Sequence, residues 1–507
     1  MTGVVGGGPH RMQIERMSAY DQLIAYLKEL DHLGAAARLL QWDQETGMPP
    51  KGEATRADIQ STFARVLHEK AVSTQLADLV AAAQAEATDS DRSRQLELVR
   101  RGVERAKKVP AALVEELASA TSLGQQVWAR SKKASDFATF LPHLEKIVEL
   151  RRQEGACIAP EGGTPYDGLL SDYERGLRTA DWTRLFDELE KELPALAGEA
   201  IERNTARQAE LGKLDALRGP FPAAQQMDLC RKLASSIGYD FEGGRLDLSA
   251  HPFSETVHLG DSRITTRVTP DDLGGSVFST LHETGHALYE QGLPQALAGT
   301  PLGGFASMAV HESQSRLWEN LIGRSDSFWR DQWSVVSDIF PDLGKIGPER
   351  WAERSRWVRR TLVRTESDEV TYNLHVLVRF RLEKAMIAGD LAARDLPGEW
   401  NKAYRAMLGV EPANHAEGCM QDVHWSAGMF GYFPTYTLGN LLSAQLHTAA
   451  AAQGRTSTRE DLLAWLRENI HAHGSRWETP ELIKKATGKE PSASEFLAHL
   501  RRRYLAG

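Results

Sequence analysis

A helical spacing of apolar residues, which recurs along most of the chain, constrains the fold more than any other feature. The first such run comprises Leu23, Leu27, Leu30 and Leu33. Steps of three or four residues place these leucines on one face of a helix. Similar spacing predicts helices over residues 55–69, 93–107, 136–152, 182–207 and 223–236. Prolines and glycines predict a loop over 158–166. The sequence therefore indicates a mainly α protein, without internal repeats.

Residues 243–270 differ from the rest of the chain, because short runs with β-branched residues replace the helical spacing. Strands or a hairpin are predicted at 246–249, 256–259 and 263–268, with a turn at Gly260-Asp261 between the last two. Asp271 or Asp272 then can cap a helix that runs to about residue 292. We therefore expect a small sheet directly before one helix of unusual composition.

That helix contains His282-Glu283-Thr284-Gly285-His286, an HExxH motif. Because residues four apart lie on one helical face, the two imidazoles can bind one zinc ion. Glu283 then lies beside the ion without binding it, which is the position of a general base that takes a proton from water. Gly285 weakens the helix by roughly 1 kcal/mol, which suggests that the metal or another backbone comes close. The alternative is two unrelated histidines on one helix.

A catalytic zinc commonly has three protein ligands. Tyr289 stands three residues after His286, so the metzincin pattern with a third histidine is absent. We predict that Glu312, in the segment HESQ, is the third ligand. It lies on a predicted helix over 306–322, which a turn of the chain through 294–304 can bring alongside the first helix. His311 is the alternative ligand, but adjacent helical residues point in different directions, which favours a role as a hydrogen-bonded neighbour of the site.

Composition narrows the class of protein. At about 150 residues per domain, a chain of 507 residues predicts three domains. A formal net charge of −9 argues against a nucleic-acid or anionic-membrane surface. The cysteines Cys157, Cys230 and Cys419 form no CxxC pair, which fits a reducing compartment.

The sequence predicts no membrane helix, and its first residues do not resemble a signal peptide. No apolar run reaches the roughly 18 residues of a membrane helix. The glycine-rich start also lacks the apolar core of a signal peptide. We therefore expect residues 1–14 to be a flexible tail, and we expect the protein to be cytoplasmic.

Several segments together resemble the carboxypeptidase Taq family of zinc-dependent metallocarboxypeptidases. In chain order they are residues 251–253 (HPF), 261–265 (DSRIT), 282–286 (HETGH), 311–314 (HESQ), 363–368 (VRTESD) and 418–425 (GCMQDVHW). Residues 42–50 and 431–436 are also similar to that family. The resemblance covers about residue 15 to the C-terminus, and its two departures, Val363 and Ser367, affect no proposed charged role.

The resemblance implies an almost entirely helical body of two lobes around a deep substrate cleft, with the small sheet next to the zinc-binding helix. It replaces the three expected domains by one, residues 15–507, and it implies a homodimer. It also implies a zinc cofactor, for which Co²⁺ and Mn²⁺ are expected substitutes.

Two further residues are candidates for stabilising the oxyanion that peptide hydrolysis generates. His424 and Tyr436 lie in a segment rich in glycine and aromatic residues. Similar His/Tyr pairs serve this purpose in related helical zinc peptidases, so we expect both to be catalytic. The alternative for Tyr436 is a packed core tyrosine.

A carboxypeptidase must also bind a free carboxylate, for which the planar guanidinium of arginine is suited. Arg364 is our first candidate, because it lies in a family segment and precedes Glu366 and Asp368, which could hold it. Arg263 is the second, with a structural ion pair as its alternative role. An extended substrate could also add to this strand at the sheet edge.

The leading hypothesis is a zinc metallocarboxypeptidase that removes single C-terminal residues from peptides with broad specificity. The alternatives are an oligopeptidase or dipeptidyl carboxypeptidase on the same scaffold, and a catalytically silent peptide-binding protein. No nucleic-acid or membrane partner is expected. The sequence leaves open the preferred C-terminal residue, the physiological metal and the arginine that binds the substrate carboxylate.

Overall fold

The structure is a computed structural model that describes residues 17–506, apart from the side chain of Ala206. The predicted tail, residues 1–14, lies outside the described residues. The helices are α1 Ala19–Thr46, α2 Glu53–Ala71, α3 Thr74–Ala83, α4 Ser90–Lys108, α5 Ala111–Ala134, α6 Phe137–Ile158, α7 Pro165–Leu170, α8 Thr179–Leu211, α9 Ala223–Ser236, α10 Leu273–Gln291, α11 Met308–Arg316, α12 Asp326–Ile339, α13 Pro341–Gly344, α14 Pro348–Ser355, α15 Tyr372–Ala388, α16 Leu396–Leu408, α17 Phe433–Ala452, α18 Arg459–Asn469, α19 Thr479–Thr487 and α20 Ser494–Leu500. This order confirms the mainly α prediction.

Polar side chains explain where several of these helices begin. The side chains of Ser18, Asp89 and Asp136 accept hydrogen bonds from backbone N–H groups in the first turns of α1, α4 and α6. Each helical range predicted from apolar spacing falls within an observed helix or begins one residue before it. None of the described helices is both long and apolar enough to cross a membrane.

The loop predicted over 158–166 is shorter in the structure, because α7 already begins at Pro165. Thr164 and Asp167 form a capping box, in which each side chain accepts a hydrogen bond from the other residue's backbone N–H group. Proline is also favourable at the first helical position, since that position has no intrahelical N–H partner. Pro165 therefore starts a helix here, and its interpretation as a loop residue was wrong.

The helix predicted over 306–322 is present but changes its type midway. It begins as α11, capped by the side chain of Ser307, and continues from Leu317 to Ile322 as a π-helix. Such wider turns are rare and often lie at functional sites. This one carries Glu319, which contacts the predicted metal site.

The sheet has three strands, β1 Leu246–Leu248, β2 Ser254–His258 and β3 Asp261–Thr266. The strand order is β1-β3-β2, with β1 parallel and β2 antiparallel to β3. Leu246 pairs with Ile264 on one side, and Ser254 pairs with Ile264 on the other. The strand that contains Arg263 is therefore central, and no substrate can add to it. This corrects the expectation that Arg263 lies at a sheet edge.

Two groups of buried apolar residues form the core. The larger group runs from Phe137 to Tyr504 and includes residues on both sides of the HExxH motif. A smaller group joins α1, α3 and α4. The N-terminal helices are attached to the main body by polar contacts, among them Arg38 Nε to the carbonyl of Val257 (3.0 Å). The assignment of residues 15–507 to one domain stays a prediction.

One fully buried carboxyl group, that of Glu174, lies at the start of α11 and forms no ion pair with any described residue. An oxygen of Glu174 accepts the backbone N–H of Ala309 at 3.3 Å, and the other oxygen has no described partner. Burial raises the pKa of Glu174 from 4.5 to about 7, against hydrogen bonds that lower it. The folded chain therefore keeps this proton at a pH where the unfolded chain has lost it.

We expect Glu174→Gln to flatten the pH dependence of stability. The stabilisation that the proton provides is complete below the unfolded pKa and is lost as the pH rises through about 7. For a shift of this size it amounts to about 3 kcal/mol. Urea unfolding at pH 5 and pH 8 should show the free energy of unfolding falling by about that much more in the wild type than in the variant. Equal pH dependence in the two proteins would contradict this assignment.

Candidate metal centre

Helix α10 carries the HExxH motif on the side that faces the π-helix and α11. Asp272 caps the helix by accepting the N–H of Gly275 at 2.9 Å. His282 and His286 are partly exposed, and their rings lie 4.9 Å apart between centroids. The two imidazoles therefore share one helical face, as their spacing predicted.

Two glycines let the neighbouring helices approach Glu312 closely. A Cβ atom on Gly285 of α10 would lie 2.6 Å from the backbone carbonyl oxygen of Gln314 in α11. A Cβ atom on Gly439 of α17 would lie 2.5 Å from Cγ of Glu312. Both distances are shorter than van der Waals contact, so side chains there would push α11 away from the histidines. Gly285, which lowers the stability of the helix, therefore lies where the backbone of α11 comes close, one of the two possibilities that the sequence suggested.

His282, His286 and Glu312 converge within the described structure. Their ligand atoms all lie within 4.8 Å of one another. Nε2 of His282 is 3.7 Å and Nε2 of His286 is 3.4 Å from Oε2 of Glu312. Ligand atoms about 2.1 Å from a tetrahedral ion lie roughly 3.4 Å apart. Two imidazole nitrogens and one carboxylate oxygen at this spacing fit a zinc ion with an open position.

The outer nitrogen of His282 is held by a carboxylate. Nδ1 of His282 lies 2.9 Å from Oε2 of Glu319, so its proton bonds outward and Nε2 keeps its lone pair for a metal. Arg316 bonds both acids, Glu312 through Nε (2.7 Å) and Glu319 through Nη1 (3.2 Å). Although burial opposes ionisation, Arg316 and the histidines hold the pKa of Glu312 well below its usual value.

The outer nitrogen of His286 is held by a second histidine. Nδ1 of His286 lies 2.6 Å from Nδ1 of His311, and Nε2 of His311 lies 2.9 Å from Oε1 of Glu290. A proton on Nε2 of His311 donates to Glu290, which leaves Nδ1 of His311 to accept from His286. These two hydrogen bonds again leave the lone pair of Nε2 of His286 available to a metal ion. Of the two roles considered for His311, the structure therefore places it as a neighbour.

Glu283 is buried beside the three convergent groups, and its carboxylate has no hydrogen-bond or ion-pair partner among residues 17–506. Burial raises the pKa of Glu283 to about 7; His282 opposes this shift, and Glu312 and Glu319 add to it. A carboxylate with a pKa near neutrality can both accept and return a proton at pH 7.

A cavity of about 890 Å³ lies over this group of residues. His282, Glu283 and Glu312 line it on one side, and Arg364 and Tyr436 line it on another. Its volume is in the range of small-molecule binding sites. The cavity therefore gives a short peptide segment access to the carboxylate of Glu283.

The two residues predicted to stabilise the oxyanion lie at different depths in the cavity wall. Tyr436 lines the cavity, whereas His424 lies behind it, with Nε2 at 3.4 Å from the hydroxyl oxygen of Tyr436. Burial raises the pKa of Tyr436 well above its usual value, so the phenol stays protonated. Burial lowers the pKa of His424 to about 4, although Asp422 opposes the shift, so its ring is neutral at pH 7.

Arg364 is buried under Tyr436 and shares the carboxylate of Asp422 with Arg379, whose Nη2 lies 2.6 Å from Oδ2. Its Nη2 lies 3.0 Å from Oδ1 of Asp422, and Nη1 donates to the hydroxyl of Tyr372 at 2.9 Å. The expectation that Glu366 and Asp368 hold it was wrong. Asp368 instead accepts backbone N–H groups, including that of Thr371 at 2.9 Å. A residue 58 positions later holds Arg364.

Arg263 lies apart from the other predicted site residues. Its Nε and Nη2 donate to the two carboxylate oxygens of Asp261 at 2.7 Å each, and its guanidinium lies over the ring of Trp42, 5.6 Å from the centroid. It is not among the residues that line the metal-site cavity. The structure therefore gives Arg263 the ion pair that was its alternative role.

Sequence reasoning missed Glu290 and Glu319, although a signal for each exists. Glu290 follows His286 by four residues, and Glu319 follows Glu312 by seven. Both steps keep a side chain on the same helical face as the ligand, where an outer hydrogen-bond partner is expected.

Sequence reasoning also missed Glu383. No spacing in the sequence indicates it, because only the tertiary structure brings it to the site. Its oxygens accept hydrogen bonds from Trp425 Nε1 at 3.1 Å, from the N–H of Gly431 at 3.2 Å and from the hydroxyl of Tyr166. Trp425 adjoins His424, and Gly431 precedes the helix that carries Tyr436. Glu383 thus holds both ends of the segment that carries the oxyanion pair.

A family profile described as carboxypeptidase Taq (M32) metallopeptidase matches residues 22–504. Thermostable carboxypeptidase 1 of Thermus thermophilus is 39% identical to this chain, over 96% of this chain and 99% of the relative. Thermostable carboxypeptidase 1 of Pyrococcus furiosus is 35% identical, over 96% and 98%. The M32 carboxypeptidase of Deinococcus radiodurans R1 superposes with a TM-score of 0.91 at 38% identity, over 96% of this chain and 99% of that structure.

Proposed function

The chain belongs to the carboxypeptidase Taq (M32) family of metallopeptidases, and we propose that it is a zinc-dependent enzyme that removes single C-terminal residues from peptides with broad specificity. One observation carries the proposal. Three ligand atoms converge at the wall of a peptide-sized cavity, and the unpartnered carboxylate of Glu283 lies beside them.

His282 and His286 would hold the ion through Nε2, which their outer hydrogen bonds leave free, and Glu312 would hold it through Oε2. A bound zinc ion supplies Lewis-acid chemistry, which polarises the scissile carbonyl and makes a water more acidic. Cobalt or manganese would occupy the same nitrogen and oxygen ligands. The chain offers no thiolate there, which leaves the choice among these metals to their availability.

The residues of the chain perform the proton transfers. Glu283 takes a proton from the attacking water and passes it to the leaving amine. Tyr436, which stays protonated, donates a hydrogen bond to the developing oxyanion. The neutral ring of His424 lies against the hydroxyl of Tyr436 and orients it. Arg364 supports the same tyrosine from below, with its guanidinium 5.0 Å from the ring centroid.

The remaining parts of the proposal concern assembly and location. Three free cysteines support a reducing compartment, and we propose the cytoplasm. The family resemblance supports a homodimer, which light scattering of the purified protein tests directly.

Digestion of a nonapeptide with and without chelator tests the proposed function. Mass spectrometry should show a ladder that loses one C-terminal residue at a time, and the ladder should disappear with chelator. Dipeptides or internal fragments would instead support an oligopeptidase or dipeptidyl carboxypeptidase. No cleavage after addition of zinc or cobalt would support a silent peptide-binding protein.

We expect Tyr436→Phe to lower kcat by about 100-fold, because it removes one donor to the oxyanion. KM and the bound metal should change little, since the ring and its packing remain. Steady-state kinetics on a blocked dipeptide and metal analysis measure these quantities. Tyr173→Phe removes a hydroxyl outside the cavity and serves as the matched control. Equal kcat values for wild type and Tyr436→Phe would exclude this donor role.

A further inference from the structure

A second cavity lies next to the candidate metal centre. Its volume is about 710 Å³, and its lining includes His311, whose Nδ1 lies 2.6 Å from Nδ1 of His286. Strand β2 leads from one cavity to the other, because Pro252, just before this strand, lines the metal-site cavity, whereas Ser254 and Glu255 line the second cavity. A peptide that is cleaved at the metal can therefore extend along β2 into the second cavity.

The charges in the second cavity are mainly negative. Three acids line it, Asp31, Glu255 and Glu290, against the single arginine Arg38 in the described part of the chain. Like charge opposes a C-terminal carboxylate in such a place. If the enzyme releases C-terminal residues, the second cavity is therefore left to the residues that precede the scissile bond.

Two of the three acids already have partners within the cavity wall. Asp31 accepts a hydrogen bond from Nη2 of Arg38 at 2.9 Å, and Nε2 of His258 lies 3.4 Å from its other oxygen. An oxygen of Glu290 lies 2.9 Å from Nε2 of His311. The arginine and both histidines of the described lining therefore face these two acids.

Glu255 on β2 is the remaining acid, and it is half-buried. Its carboxylate accepts no hydrogen bond and forms no ion pair among residues 17–506. Burial raises the pKa of Glu255 to about 6; Arg38 opposes this shift and Glu290 adds to it. The carboxylate is therefore mostly ionised at pH 7. A partly desolvated carboxylate without a partner gains most from a cationic ligand.

Apolar side chains complete the wall of the second cavity. Leu259, Phe305 and Met308 line it, and the ring of Phe305 lies 5.0 Å from that of His311 between centroids. A long aliphatic stem packs on such a surface while the charge at its end reaches a polar partner. The combination of apolar walls and one unpaired carboxylate is thus complementary to a lysine side chain.

We propose that the second cavity binds the substrate residues that precede the scissile bond, and that Glu255 makes it selective for a positively charged group there. This inference rests on the proposed function and adds a preference to an otherwise broad specificity. The positive group is a lysine side chain or, in a short peptide, the free N-terminal ammonium. Both present N–H donors and one positive charge to the carboxylate.

Peptides that differ at one position test this selectivity. In N-acetylated Ala-Ala-Ala-Leu, lysine or norleucine replaces one alanine at a time, which changes the charge but hardly the length of the stem. At pH 7, the zinc-loaded wild type should release leucine from at least one lysine peptide with a kcat/KM about 10-fold above that of the norleucine peptide. In Glu255→Gln this ratio should fall to about one, while kcat for the norleucine peptide stays unchanged.

A second comparison distinguishes the two sources of positive charge. It uses Ala-Ala-Leu with a free or an acetylated N-terminus, so that the ammonium group is the only change in charge. A preference for the positive peptide in either comparison, abolished by Glu255→Gln, supports the proposal. The proposal is overturned if neither comparison shows a preference, or if the preference survives in Glu255→Gln.

Reversing the charge at this position separates recognition from a structural role. Glu255→Lys should prefer a peptide with glutamate to the same peptide with glutamine, which loss of structure cannot produce. Asp247→Asn is the matched control, because Asp247 lies on β1 at the other edge of the same sheet, binds Arg245 at 2.8 Å and lies outside the lining of both cavities. It should keep the lysine preference of the wild type.

Binding without chemistry separates this inference from the proposed function. Isothermal titration of zinc-loaded Glu283→Gln with the same peptide pairs should show about 10-fold tighter binding of the positive member of at least one pair. Adding Glu255→Gln should make the affinities within that pair equal. Equal affinities within every pair in Glu283→Gln alone would overturn the proposal. A wild type that releases no single C-terminal residues would instead overturn the proposed function, and the titration would still decide on Glu255.

Discussion

Glu283→Gln is expected to lower kcat by at least about 1,000-fold, in line with the loss of a positioned general base. Glutamine has nearly the same volume but cannot accept the proton of water. The carboxylate of Glu283 has no partner to lose among residues 17–506, and it lies beside the three candidate metal ligands rather than among them. The bound metal and the thermal stability should therefore stay close to those of the wild type.

Kinetics on a blocked dipeptide and elemental analysis of the purified protein measure the two quantities. Glu174→Gln is the matched control, since Glu174 is also a buried carboxyl group with a pKa raised to about 7, but it lies outside the cavity lining. It should keep nearly full activity at pH 7. If Glu283→Gln kept wild-type kcat, another group would have to act as the base.

His286→Ala has the second largest expected effect, which is loss of the metal and of activity with it. Without His286, only two of the three predicted protein ligands remain, which is fewer than a catalytic zinc ion commonly has. It also leaves Nδ1 of His311 without its partner at 2.6 Å. The metal affinity should fall by more than the roughly 10–100-fold that follows the loss of a residue that hydrogen-bonds to a metal ligand.

Dialysis against graded chelator, followed by elemental analysis, measures this loss of affinity. His311→Ala should show the smaller, outer-partner effect, because Nε2 of His286 stays in place. His447→Ala removes an equally partly buried imidazole from α17 and is the matched control. Retention of one metal per chain by His286→Ala in dilute chelator would exclude it as a ligand.

The helical fold could be predicted because apolar spacing is a local property. Leu23, Leu27 and Leu30 mark one helical face whatever the rest of the chain does. The same holds for the alternation in β1 and for the spacing of His282 and His286. Sequence reasoning failed at Pro165, where the capping box of Thr164 and Asp167 was overlooked. It also failed for Arg263, because strand order depends on which strands meet.

Contacts between distant segments could not be predicted. Asp422 follows Arg364 by 58 residues, and nothing in the spacing indicates that it, rather than Glu366 or Asp368, holds the guanidinium. The charge available on an arginine is therefore a tertiary property.

By itself, the sequence determined the helical class, the small sheet and the donor atoms of the candidate metal site, because each depends on spacing within one or two turns. Only the tertiary structure decided which groups face those donors. Gly285 and Gly439 let three helices meet at Glu312, and Glu319 and His311 orient the two imidazoles. Local periodicity determines which face a residue occupies, whereas packing determines its neighbour.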